Sequence, residues 1–180
     1  MSELIIGELI MEKQLANKIR PIIALSKEGK FLDALQGVNK LIQELPNVPM
    51  LFNLKGRILF ALDKFEESLS CYEVSLEDKQ FKLDSYLKIG VLKKKLGDPE
   101  SAINNYLKAL ELDPKNVGAL NNLGNLYREK SKYNKAIKQF KNVIAIRSDY
   151  VGAYNNLALV YKEKGEIETA IESYKKGLKI

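Results

Sequence analysis

Apolar and polar positions recur along the chain with a period of 34 residues from residue 15 onward. Within each period, apolar residues are spaced three or four apart in two runs separated by turn-forming residues, as expected for two amphipathic helices. We number positions within a unit and place helix A over roughly positions 2 to 14 and helix B over roughly positions 18 to 31. The predicted units are 15–48, 49–82, 83–116, 117–150 and the incomplete 151–180.

Three columns of the repeat predict how the two helices pack. Position 20 is small in every unit, position 8 is mostly small and position 24 is mostly aromatic. Small residues let two helix backbones approach closely, and large rings fill the space beside them. We therefore expect each unit to be an antiparallel helical hairpin. Position 8 holds Ile22, Gly56, Gly90, Gly124 and Ala158, and position 24 holds Val38, Tyr72, Tyr106, Phe140 and Tyr174.

Turn residues and prolines punctuate the same pattern. Position 15, the expected end of helix A, holds Gly29, Asp63, Gly97, Ser131 and Gly165, residue types suited to a helix C-terminus. Pro99 suits the start of a helix, and Pro46 and Pro114 close helix B. The first unit departs from the pattern because Pro21 lies inside its helix A, where we expect a kink or restart. Residues 1–14 are predicted to form an additional capping helix.

These columns resemble the tetratricopeptide repeat family. The resemblance is carried by Leu123-Gly124-Asn125-Leu126-Tyr127, by Ala136-Ile137 with Phe140, and by Ala109-Leu110-Glu111-Leu112-Asp113-Pro114. It covers residues 15–180 and implies an all-α, right-handed superhelical solenoid of antiparallel helix hairpins, five units plus an N-terminal helix. Pentatricopeptide RNA-binding arrays are the competing interpretation, but the Leu-Asp-Pro-Lys-Asn junction and the small columns fit tetratricopeptide units better.

Composition restricts the chemistry that this chain can perform. Its 180 residues include one cysteine, Cys71, and no histidine. An internal disulfide, a zinc site and a histidine-dependent catalytic set are therefore excluded, and we expect no enzyme activity, metal or cofactor. Cys71 itself is expected to be structural.

Acidic residues interrupt the apolar N-terminus, and no run approaches the ~18 apolar residues of a membrane span. We expect a cytoplasmic protein.

The family resemblance implies that A helices line a concave groove through unit positions 2, 5, 6, 9, 12 and 13. These positions carry eight basic and three acidic side chains, a higher ratio of basic to acidic residues than the 29 to 23 of the whole chain. The basic residues are Arg20, Lys27, Arg57, Lys88, Lys94, Lys95, Arg128 and Lys162, and the acidic ones are Asp84, Glu129 and Glu163. Our candidate peptide-binding residues are Arg57, Phe60, Lys88, Lys95, Asn121, Asn122, Asn125, Arg128, Asn155, Asn156 and Lys162.

Two known groove patterns can be compared with these A-helix positions. The clamp with which some relatives grip a chaperone C-terminal carboxylate is not supplied by three consecutive units. Asn122 and Asn156 at position 6, each preceded by another asparagine, resemble the repeat domain of the O-linked N-acetylglucosamine transferases. There the position-6 asparagine grips a peptide backbone, since an amide offers donors and an acceptor. Asparagine is also common at this position simply as a polar residue, so both interpretations stay open.

The preferred function is a protein-interaction scaffold that binds an extended, acidic or neutral peptide in the groove. The alternative is a substrate-recognition module in front of a larger enzyme of the glycosyltransferase or sulfotransferase type. An RNA-binding array is disfavoured, because twelve of the fifteen aromatic residues lie in packing columns. The apolar stripe of the last helix predicts either continuation into a longer polypeptide or self-association through that helix.

Overall fold

The computed structural model describes the backbone of residues 3–180 and the side chains of residues 13–180. Over this range the chain forms ten α-helices and no strand. The helices are α1 (Glu3–Lys27), α2 (Phe31–Glu44), α3 (Pro49–Ala61), α4 (Phe65–Ser75), α5 (Lys82–Lys95), α6 (Pro99–Leu112), α7 (Val117–Glu129), α8 (Tyr133–Ile146), α9 (Val151–Glu163) and α10 (Ile167–Gly177). They fall into the five predicted pairs, and the all-α fold class is confirmed.

Each pair is joined by a three-residue turn whose middle residue is the predicted position 15. All five of these residues have a positive φ, including 56° at Asp63 and 55° at Ser131. A left-handed residue ends a helix by turning its chain away, and glycine adopts this conformation without the steric cost of a Cβ atom. The three glycines and two small polar residues of this column thus define the hairpin turns.

The prolines act as predicted at three of four positions. Pro99 begins α6, and α2 and α6 end before Pro46 and Pro114. The expectation at Pro21 differs from the structure, because α1 continues through this residue from Glu3 to Lys27. Ile19 and Ile22, on either side of the proline, are buried in the core. Their packing compensates for the hydrogen bond that proline cannot donate. Residues 3–14 accordingly belong to the same helix as residues 15–27, rather than to a separate one; residues 1–2 lie outside the described chain.

The second unit differs slightly from the predicted bounds. Helix α4 ends at Ser75, and α5 begins at Lys82. The intervening segment contains an Asp78 carboxylate that accepts a hydrogen bond from the backbone N–H of Gln80 at 2.8 Å. Aspartate competes with helical hydrogen bonding in this way. This local turn shortens helix B relative to the repeat.

The chain divides into two compact parts, here called the N-terminal part (to Ser85) and the C-terminal part (from Tyr86). In the N-terminal part, α1, α2, α3 and α4 pack in sequence, each against the next. The core is formed where α2 lies between α1 and α3, around Val38, Leu51 and Ile58. Ser68 takes the small position 20 of the second unit, and its hydroxyl donates a buried hydrogen bond of 2.7 Å to the Gly56 carbonyl.

In the C-terminal part, α6 packs on α7, α7 on α8, α8 on α9 and α9 on α10, and α7 also contacts α9 directly. The two A helices α7 and α9 are therefore neighbours, and their side chains can meet. The predicted close approach is present in the α5–α6 and α7–α8 pairs, because the rings of Tyr106 and Phe140 lie against Gly90 and Gly124. None of the helices within the described residues has the length and apolarity needed to cross a membrane.

Candidate peptide-binding surface

The asparagines of α7 and α9 are linked to each other. The Asn156 amide nitrogen donates a hydrogen bond of 3.0 Å to the Asn121 side-chain oxygen. These residues are 35 positions apart, at unit position 5 of one helix A and position 6 of the next. The bond occupies one donor of Asn156 and leaves both amide donors of Asn121 available. The asparagine pair is thus part of the contact between the two helices as well as a polar surface.

The same 35-residue offset recurs in two ion pairs. Lys94 Nζ lies 2.6 Å from Glu129 Oε1, and Arg128 Nη1 lies 2.6 Å from Glu163 Oε1. In each pair the cation stands at unit position 12 and the carboxylate at position 13 of the next helix A. Two of the three acidic groove residues therefore neutralise two of the eight basic ones. The basic excess of the predicted groove is correspondingly carried by the other cations.

Asn122 faces a buried side chain of the preceding helix B. Burial raises the pKa of the Tyr106 phenol to about 12. Hydrogen bonding from the Asn122 side chain lowers this pKa in part, because it stabilises the ionised form. Phe140, which takes the place of Tyr106 in the next unit, has no hydroxyl. Asn156, the counterpart of Asn122, bonds instead to Asn121. The two predicted rungs of the asparagine ladder thus have different surroundings.

Three other predicted site residues of the C-terminal part have no partner in the described part of the chain. They are Asn125 on α7, which is half-buried, and Asn155 and Lys162 on α9, which are exposed. Their polar groups are available to a ligand. Lys88 and Lys95 both lie on α5, the first half-buried and the second exposed.

The predicted site residues of the N-terminal part lie on α3. Phe60 is half-buried, and its ring packs against Phe65 of α4 with a centroid separation of 5.7 Å. It therefore belongs partly to its own hairpin. Arg57 is exposed and lines a cavity together with Lys27. Sequence reasoning did not single out the apolar residues of this cavity.

The buried polar groups of the N-terminal part are structural in character. Burial raises the pKa of the Cys71 thiol, so this cysteine stays protonated and unreactive at neutral pH. Burial also raises the pKa of Tyr72, with nearby Asp84 adding to the effect. Asp84 accepts a hydrogen bond of 3.1 Å from the Asn53 amide. Across the described residues no group of three or more Cys, Asp or Glu side chains is arranged to hold a metal ion.

Paired helices with left-handed turns, small residues under aromatic rings and polar A-helix faces define a helical-repeat protein. Sequence profiles of the tetratricopeptide repeat family match residues 83–116, 105–138, 124–165 and 151–180. The chain belongs to the tetratricopeptide repeat family.

Solved structures of the same fold support this assignment. MamA residues 41-end from Desulfovibrio magneticus RS-1 superimposes with a TM-score of 0.83 at 15% identity, covering 91% of this chain and 93% of that one. YrrB, described as a TPR protein with an unusual peptide-binding site, gives a TM-score of 0.76 at 20% identity over 90% of this chain and 84% of that one. At these identities the likeness establishes the fold.

One curated relative is similar in sequence. The Photosystem I assembly protein Ycf3 of Prochlorococcus marinus (strain NATL2A) is 38% identical over 107 residues, which are 57% of this chain and 62% of that protein. The match thus spans less than two thirds of the relative. The resemblance of units four and five to O-linked N-acetylglucosamine transferases stays a prediction from the sequence.

Proposed function

We propose that this protein binds an extended, acidic or neutral peptide segment of a partner protein along its A helices. The observation that carries the proposal is the set of unpartnered polar side chains on neighbouring helices α7 and α9: Asn125, Asn155 and Lys162. Amides present donors and an acceptor that match any peptide backbone, and the lysine adds attraction for an acidic segment. The remaining donors of Asn121 lie on the same pair of helices.

Affinity requires contributions from many groups. A net hydrogen bond contributes ~1 kcal/mol, whereas micromolar binding needs ~8 kcal/mol. The asparagines therefore orient a peptide, and cations and apolar contacts on the A helices supply the rest. The predicted participants remain Arg57, Phe60, Lys88, Lys95, Asn121, Asn122, Asn125, Arg128, Asn155, Asn156 and Lys162.

The test uses peptides selected by the intact chain from a random display library. The double variant Asn125→Ala/Asn155→Ala should weaken binding of a selected peptide about fivefold to thirtyfold, which corresponds to ~1–2 kcal/mol. The matched control is Asn104→Ala/Asn142→Ala, which removes two exposed asparagines from helices α6 and α8. Equal affinities for both double variants would refute the groove, whereas a loss confined to the first pair would support it.

A second candidate function is that of an assembly factor for a multiprotein complex, and the similarity to a photosystem assembly protein favours it. Such a factor holds newly made subunits and releases them once the complex is complete. Pulse labelling followed by affinity capture of the chain shows whether it binds newly made subunits or the completed complex. Capture of new, unassembled subunits supports this role, and exclusive capture of the mature complex contradicts it. A recognition module within a larger enzyme remains a prediction.

We further propose that the protein is cytoplasmic and that it self-associates through α10. Self-association is supported by Ile171 of α10 and by Leu178, the residue that follows this helix, whose exposed fractions are 48% and 86%. Light scattering of the wild type and of the variant Ile171→Ser/Leu178→Ser tests it. A mass that rises with concentration only in the wild type is expected, and a wild-type monomer throughout would refute self-association.

A further inference from the structure

An apolar cavity of about 190 Å³ opens on the N-terminal part between α1, the start of α2 and α3. Leu54 and Ile58 of α3 are buried, with exposed fractions of 8% and 2%, and contribute apolar walls. Ile23 of α1 is 37% exposed, and Phe31 at the start of α2 is half-buried. Apolar surface that stays accessible to water in a concave position favours an apolar ligand group.

Two cations line the same cavity, and no carboxylate does. Lys27 and Arg57 are both exposed, and neither forms an ion pair with another described residue. Glu28, beside Lys27 in the sequence, is bonded to Lys30 at 2.8 Å. Ser26, the remaining polar residue in the wall, donates its hydroxyl to the Ile22 carbonyl at 2.9 Å. The cavity therefore presents positive charge that the described chain leaves unneutralised.

The cavity occurs where the ion-pair pattern of the C-terminal part is missing. In the C-terminal part, a cation at position 12 forms an ion pair with a carboxylate at position 13 of the next helix A, as in Arg128 and Glu163. The corresponding residues of the first two units are Ser26 and Ala61, whose side chains are short and uncharged. Without long side chains at these positions, the surface beside Ser26 stays open and Lys27 and Arg57 remain unpaired.

We propose that this cavity binds one large apolar side chain of a peptide and that Lys27 and Arg57 bind a carboxylate beside it. The cavity is smaller than the about 300 Å³ of the smallest typical small-molecule sites, so it suits a single side chain. Charge complementarity selects a carboxylate as the neighbouring group. This inference rests on the proposed function and names the chemistry of the partner segment.

Peptides selected from the random library by the intact chain provide the first test. We expect the selected peptides to combine a large aliphatic or aromatic residue with an adjacent carboxylate. In titrations, Lys27→Ala/Arg57→Ala should lower their affinity about fivefold to thirtyfold. Lys138→Ala/Lys175→Ala is the matched control, because it removes the same charge from exposed sites on α8 and α10. Peptides with a free and an amidated C-terminus separate a terminal carboxylate from an acidic side chain.

A cavity-filling variant, Ser26→Trp, tests whether the cavity binds an apolar side chain of the peptide, and it leaves the charge unchanged. In the wild type, replacing the apolar residue of a selected peptide by alanine should weaken binding, and in Ser26→Trp the same replacement should have no further effect. Selected peptides that bind Lys27→Ala/Arg57→Ala as tightly as wild type would overturn this inference and leave the scaffold function intact. Selection of no peptide at all, including the case in which the chain only self-associates, would overturn both.

Discussion

The ring of Phe140 lies directly over the Cα of Gly124, so that a Cβ atom there would be only 2.7 Å from Phe140 Cε1. Gly124→Ala should therefore destabilise the protein although alanine is the better helix former. Overpacking a core costs about 1–3 kcal/mol, whereas the higher helix propensity of alanine contributes about 1 kcal/mol. We expect a net loss of up to ~2 kcal/mol in the free energy of unfolding, measured by urea denaturation.

Two controls isolate the contact with the ring. Gly118→Ala, at an exposed site in the first turn of α7 with no ring against it, should not destabilise the protein, because no overpacking there opposes the helix-propensity gain of up to about 1 kcal/mol. In a Phe140→Leu background, Gly124→Ala should cost less than it does in the wild type, because the smaller side chain can move aside. Additive effects of the two substitutions would contradict a direct contact.

Tyr72 and Tyr106 occupy the same column but differ in how their hydroxyls are satisfied. The Tyr72 hydroxyl is buried without a hydrogen-bond partner in the described chain, whereas that of Tyr106 interacts with Asn122. An unsatisfied buried polar group costs about 1–3 kcal/mol. Tyr72→Phe should therefore stabilise the protein by ~1 kcal/mol, and Tyr106→Phe should not. Chemical denaturation checks both, and equal effects would contradict the difference in environment.

Replacing Asn122, the partner of the Tyr106 hydroxyl, should destabilise the protein. Asn122→Ala leaves the Tyr106 hydroxyl without that partner and should cost ~1 kcal/mol or more. Adding Tyr106→Phe to this variant should recover stability, because no hydroxyl then remains to be satisfied. The double-mutant cycle would count against this account if the two changes were additive.

The helix bounds could be predicted because they depend on local chemistry that repeats. The residue at position 15 determines where each helix A ends, and the matched columns at positions 8 and 24 determine which faces pack. Pro21 was misjudged, because burial of Ile19 and Ile22 is a tertiary effect that opposes the local preference of proline. The turn at Asp78 was missed, because a single side-chain hydrogen bond interrupts the periodic pattern there.

The candidate site could be predicted only in part. Unit positions indicate which face of helix A a residue occupies, and so they identified Asn121, Asn156 and Arg128. They do not show that a residue 35 positions later comes within hydrogen-bonding distance, which is why the pairing of these side chains was not foreseen. The cavity beside Arg57 was also missed. Its signal was present in the short residues Ser26 and Ala61, where later units carry a cation and a carboxylate.

The carboxylates of the two groove ion pairs should limit binding of acidic peptides. Glu129→Gln/Glu163→Gln releases Lys94 and Arg128 from their partners at 2.6 Å. Affinity for an acidic peptide should rise, and its decrease with added salt should become steeper, because more unpaired positive charge faces the ligand. Titrations at low and high ionic strength measure both quantities.

The control for this prediction changes the same charge away from the A helices. Glu111→Gln/Glu168→Gln alters two exposed carboxylates on α6 and α10. If both double variants raised the affinity equally, net charge rather than the groove would be responsible. An unchanged affinity in Glu129→Gln/Glu163→Gln would show that acidic ligands do not approach these cations.

Asp98 at the start of α6 should make the protein sensitive to acid. Its carboxylate accepts a hydrogen bond of 3.0 Å from the Ser101 backbone N–H, and hydrogen bonds from the Ser101 side chain and backbone hold its pKa below the ordinary value of 3.8. A lowered native pKa stabilises the fold fully above the unfolded value, and this stabilisation is lost as the pH falls through the native value. Asp98→Asn keeps a capping acceptor but cannot titrate. The free energy of unfolding should therefore fall less steeply with acidification in Asp98→Asn than in the wild type, since the other carboxylates titrate equally in both. Parallel plots of unfolding free energy against pH for the wild type and Asp98→Asn, from about pH 6 to about pH 2, would show that the Asp98 cap does not depend on ionisation. Asp98→Ala lacks the cap and should be less stable at neutral pH than both the wild type and Asp98→Asn.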